Sequence, residues 1–156
     1  MSLALERAAL VAVLSSVPGI GVVHSYERYA ADLAALRTHY TTEIDGKHQL
    51  RGWFVQRVKT TEERSARKAY FDRTAWMLRG YMGLDDAAQS ELVFDGLVEA
   101  VRDALRADLT LGGVVMLPDK DDTAGPTVDA GPVLFAGVLC HSATITVINK
   151  RFIQLP

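Results

Sequence analysis

The sequence predicts an α+β domain with a mainly antiparallel sheet of about four strands and helices packed on one face. Three observations predict it. Residues 84–107 read as one long amphipathic helix. Residues 51–59 and 68–82 switch to the aromatic and β-branched content of strands. The elements do not alternate as regular βαβ units, which argues against a parallel α/β sheet.

The first helix is expected over 2–15, capped by Ser2 and stopped by Pro18 and Gly19. A short extended segment, Ile20 to His24, follows. A second helix is expected from Ser25 or Tyr26 to about Tyr40, with Tyr29, Leu33, Leu36 and Tyr40 as its apolar face. Residues 41–49 are polar and turn-like around Asp45-Gly46. The charged stretch 60–67 then connects the two strands. Strand 68–82 carries apolar groups at both parities, so one face suits the core and the other a second surface, such as a subunit contact.

In the long helix, Asp85 is placed to cap the first turn, and Arg102 and Arg106 suit the negative end. Val93, Leu97, Val101, Ala104 and Leu105 form its apolar stripe, widened by Phe94 and Val98. Val114 to Leu117 reads as a short strand ended by Pro118, and 119–131 as a polar, mobile loop. Residues 133–149 read as one long strand. No internal repeat and no dividing linker is visible, so residues 1–156 are read as a single domain.

Composition narrows the function classes. A net charge of -2 leaves no general nucleic-acid footprint, although the region from Arg51 to Arg79 is locally basic. The single cysteine, Cys140, excludes an intrachain disulfide and a multi-cysteine zinc site. No run approaches the ~20 apolar residues of a membrane span. The apolar run at 8–14 lacks the basic start and cleavage site of a signal peptide.

Catalytic and metal motifs are weak. Gly19-Ile20-Gly21 lacks the third glycine and the preceding strand of a dinucleotide loop. The four histidines do not pair at zinc-ligand spacing, and Cys140 and His141, adjacent on a strand, point to opposite faces. The acids from Asp119 onward do not fit a calcium loop. A hidden enzymatic or ligand-binding site would draw on His24, Asp72 or His141. No cofactor is expected.

Five stretches together resemble the tail terminator, or tail-completion, proteins of long-tailed phages and prophages. They are Val22 to Tyr29, Gly52 to Val55, Arg79 to Asp86, Ser90 to Leu97 and Gly137 to His141, and the resemblance spans most of 20–148. It implies a small α+β protein that assembles as a hexameric ring, caps the tail tube and stops its polymerisation. The ring would also offer the surface for joining the head. The implied protein is neither an enzyme nor cofactor-dependent. Its partners would be further copies of itself, the tail tube protein and a head-completion or connector protein. DNA would meet it only in passage through the lumen, and no membrane is involved. Its place would be the tail–head junction of the virion, after synthesis in the host cytoplasm.

For such a ring, Trp53, Tyr70, Trp76 and Arg79 are the candidate subunit-interface residues. Replacing Trp76 by alanine is then expected to weaken assembly and leave a folded monomer. Asp119, Asp121, Asp122 and Asp129 are candidates for a lumen or partner loop. The alternatives are another head–tail joining or neck protein, a tail-assembly chaperone, or a small ligand-binding or enzymatic domain. A nucleic-acid binder is the remaining reading.

Overall fold

A twenty-residue strand and its hairpin partner form the spine of the computed structural model, which describes residues 2–121 and 125–156. The elements in order are α1 (Leu3–Ser15), β1 (Val22–His24), α2 (Leu33–His39), β2 (Thr41–Ile44), β3 (Lys47–Ala66) and β4 (Ala69–Gly83). A 3-10 turn (Asp86–Ala88), α3 (Ser90–Ala107), β5 (Thr127–Phe135) and β6 (Val138–Gln154) complete the chain.

The α+β class holds, but the sheet is larger than the expected four strands and is mixed. Its order is β1-β3-β4-β6-β5, with β2 also on β3, giving six strands. All pairs are antiparallel except β1 on β3, where Val22, Val23 and His24 run alongside Gly52, Trp53 and Phe54.

Side chains alternate across the sheet. On one face, Trp53, Val55, Trp76, Leu78, Met82, Ala143, Ile145 and Val147 meet Leu10 and Leu14 of α1 and Phe94, Leu97, Val98, Val101 and Leu105 of α3. On the other, Tyr40, Leu50, Phe54, Tyr81 and Cys140 form a second core, with Leu36 of α2 packed on it. Helices therefore cover both faces, where one was expected. Gly80 lies opposite Trp53 in the register, and a Cβ there would fall 2.3 Å from the indole. The glycine lets the ring lie flat on the strand.

Several elements differ from their sequence reading for identifiable reasons. The second helix is only Leu33–His39, because Asp32 is its cap and accepts from the Ala35 N–H at 2.8 Å. Tyr29, expected on an apolar face, is exposed and donates to Glu27. Residues 41–49 form a hairpin: Thr41, Thr42 and Ile44 are β-branched, and Asp45-Gly46, both at positive φ, supply the two-residue turn. The charged stretch 60–67 continues β3 as far as Ala66, and only Arg67 belongs to the turn before β4.

The long helix begins at Ser90, not at Asp85. Gln89, at φ 53°, breaks it from the 3-10 turn that Asp85 caps. Its buried stripe centres on Phe94, Val98, Val101 and Leu105, and Val93 is 44% exposed. The expected strand 114–117 is reduced to a single bridge, Met116 with Lys150. The expected strand 133–149 is two strands folded at Ala136-Gly137, where both residues take positive φ. The last five residues of the expected loop 119–131, from Thr127, belong to β5, and 122–124 lie outside the described residues.

Candidate assembly surface

Beyond the helical layer the sheet continues as a three-stranded arm. It consists of the far half of β3 from the bulge at Arg57–Lys59, the first half of β4, and the last residues of β6. The bulge adds twist where the arm leaves the body. Every residue from Arg57 to Lys68 is exposed.

One face of the arm is tied back to α1. Arg151 bridges Asp72 at 3.0 Å and Glu6 at 3.2 Å, and the Trp76 indole N–H donates to Glu6 at 2.6 Å. Glu6 is fully buried, so its charge is tolerated only because these groups meet it. The Thr60 and Thr74 hydroxyls meet at 3.2 Å across the β3–β4 register.

The other face is partly apolar and partly cationic. The Phe71 and Phe152 rings lie 5.3 Å apart, with the Lys150 ammonium 4.3 Å from the Phe71 centroid. Ile148 is 58% exposed. Asp119 closes this face over the strands, paired with Lys150 and, at 3.6 Å, with Arg73. The Lys150 hydrogen bond holds the Asp119 carboxyl below its usual range.

The expected interface residues divide. Trp53 and Trp76 are completely buried within the single chain: Trp53 stacks on Phe94 and Trp76 binds Glu6. Neither offers a surface to a neighbour, which corrects their place among the candidate subunit-interface residues. Aromatic strand residues read from sequence do not reveal which face a helix will cover. Tyr70 and Arg79 remain half-exposed, Tyr70 near the arm tip and Arg79 with its guanidinium 5.3 Å from the Tyr81 ring.

The acidic candidates do not share one loop. Asp119 is held on β6, Asp121 is exposed beyond it, and Asp129 is exposed on edge strand β5 opposite Thr144. Asp122 lies outside the described residues.

The histidine and aspartate candidates are each engaged separately. His24 Nε2 meets the His39 carbonyl at 2.6 Å, Asp72 is in the arm network, and His141 Nε2 meets Ser90 Oγ at 2.8 Å. The Ser90–His141 pair was not legible in sequence. It has the atoms of a nucleophile and base, but Ser90 is buried and also accepts from the Asp85 N–H. It fastens the start of α3 to β6. Burial pushes the Cys140 thiol up to about 11, which keeps it protonated and unreactive near neutral pH. Glu6 was also missed; its signal is a carboxylate inside an otherwise apolar helical run.

A cavity of about 260 Å³ lies between the end of α3, the Met116–Pro118 segment and β6, lined mainly by Leu105, Leu109, Leu111, Met116, Val147 and Ile148. None of His24, Asp72, His141 or Ser90 lines it. Among the described residues, no cluster of three or more His, Cys, Asp or Glu is placed to hold a metal, and no helix is long and apolar enough to cross a membrane.

The geometry defines an α+β protein with a mixed six-stranded sheet and a projecting, charged arm. Compared with known proteins, the chain matches no family model and no curated relative.

Proposed function

We propose that this chain is a structural assembly protein of a phage tail. It joins further copies of itself in a ring, caps the tail tube, ends tube growth and presents the surface that joins the head. The sequence resemblance described above motivates the tail assignment. The observation that carries an assembly role is the arm. A solvent-exposed extension with Val58 60% and Ile148 58% exposed, and with Val58 between the exposed cations Arg57 and Lys59, gains little within one chain and suits contact with another molecule. A ring needs two different patches on each subunit, one meeting the other on the next copy. The arm supplies one such patch.

The tail tube protein and a head-completion or connector protein are the proposed axial partners, and the virion neck is the proposed location. Light scattering after size exclusion at two protein concentrations tests the reading. A mass that rises with concentration towards a hexamer-sized particle is expected. A single-chain mass at both concentrations, unchanged by added tail tubes, contradicts it.

A further inference from the structure

The outward face of α3 has features that the chain itself uses only at its far end, where Arg102 pairs with Glu99 at 2.6 Å. From Leu84 to Val101 the sequence holds five carboxylates, Asp85, Asp86, Glu91, Asp95 and Glu99, and no lysine or arginine. Glu91, Asp95 and Glu99 recur every four residues and are exposed, so they form one ridge along the helix. Beside the ridge Leu92 is 65% exposed. Gly96, one turn beyond Leu92, sits mid-helix, where glycine costs up to about 1 kcal/mol relative to alanine. A Cβ there would meet nothing within 4 Å, so no packing inside the chain requires the gap. The result is an apolar strip with a flat centre and an acidic border.

The arm carries the opposite set. Arg57, Lys59, Arg64, Arg67 and Lys68 are exposed, interrupted only by Glu62 and Glu63 among charged residues. Val58 projects between the first two cations. Among the described residues, Arg57, Lys59, Arg64 and Arg67 make no ion pair.

We infer that the Leu92–Glu99 face of α3 is the docking site for the arm of a second copy of this chain. This rests on the ring reading above and gives that ring its contact. Opposite charges pair only when arm meets helix; arm against arm would oppose cations, and helix against helix carboxylates. The contact is therefore heterologous, and repeated copies close a ring or extend. Gly96 lets the partner strand approach the helix backbone, and Leu92 covers Val58. A nucleic acid would satisfy the arm but leaves the acidic strip and Gly96 without a role.

The test is sedimentation velocity on the full chain and on Asp95→Lys, Arg64→Glu and Gly96→Ala, up to the highest concentration the protein tolerates. All three positions are exposed, and circular dichroism checks that each variant folds. The wild type is expected to self-associate, less so as salt rises. Asp95→Lys and Arg64→Glu should each weaken association about tenfold or more. Gly96→Ala should raise the melting temperature and yet weaken association, a combination that a purely structural role for Gly96 does not produce. Mixing Asp95→Lys with Arg64→Glu should restore association that neither variant shows alone, since the native arm meets the native helix at one junction and the two reversed charges are again opposite at the other.

A wild-type chain that stays monomeric at every concentration overturns the pairing. So does duplex DNA binding that Arg64→Glu abolishes while no self-association occurs. Assemblies that persist unchanged in all three variants overturn the pairing alone and leave the ring reading standing. Absence of assembly even on tail tubes overturns both.

Discussion

The Trp76 indole N–H donates to the Glu6 carboxylate at 2.6 Å, and both residues are fully buried. This contact joins α1 to the middle of the sheet across 70 residues of sequence, and Arg151 and Asp72 extend it into the arm. It makes Trp76 a stability residue. Trp76→Ala should cost about 3–5 kcal/mol, and Trp76→Phe about 1–3 kcal/mol by leaving Glu6 short of a donor. Urea unfolding measures both. A Trp76→Ala chain of unaltered stability would refute the placement.

Gly80 and Gly96 should respond oppositely to the same change. Gly80→Ala drives a methyl into the Trp53 ring and should destabilise by about 1–3 kcal/mol. Gly96→Ala meets open space and should stabilise the single chain by up to about 1 kcal/mol. Thermal melts at low protein concentration compare them without interference from association.

Cys140 should be silent to thiol reagents in the folded state. It is completely buried, and its thiol is pushed up to about 11 by burial. Labelling at mildly alkaline pH should follow global unfolding and speed up with denaturant. Rapid labelling in native buffer would contradict its place in the second core.

The Asp119–Lys150 pair sets an acid limit on the segment that crosses β6. The folded carboxyl lies below its unfolded value, so this contribution is complete above the ordinary carboxylate range, ~4. It is lost as pH falls through the lowered folded value. Asp119→Asn should remove that part of the acid dependence. Hydrogen exchange at Met116, whose N–H donates to the Lys150 carbonyl, reports it locally.

The α+β class and the first helix were legible because Ser2, the apolar run and Pro18 are local signals. The Asp45-Gly46 turn was legible for the same reason. The length of β3 was not: residues 60–67 are polar apart from Ala66, with Glu62, Glu63, Arg64 and Arg67 charged, and the strand state of 60–66 comes from pairing with β4 and, through it, β6. The break at Ala136-Gly137 was hidden by continuous apolar alternation on either side. The second core was hidden because Tyr40, Phe54 and Tyr81 converge from three separate segments. The two tryptophans looked like interface anchors because composition shows a strand's aromatics but not which helix lies over them. Tyr70 and Arg79 keep partial exposure, and the cations of the arm, noted in sequence only as a locally basic region, are the more accessible surface.

The central claim is that copies of this chain cap a growing tail tube. Its most direct test is to add the purified protein to polymerising phage tail tube protein and image the tube ends. The account predicts a ring at one end of each tube and tubes that stop lengthening once it is bound. Bare ends and unchanged growth at saturating protein would contradict it.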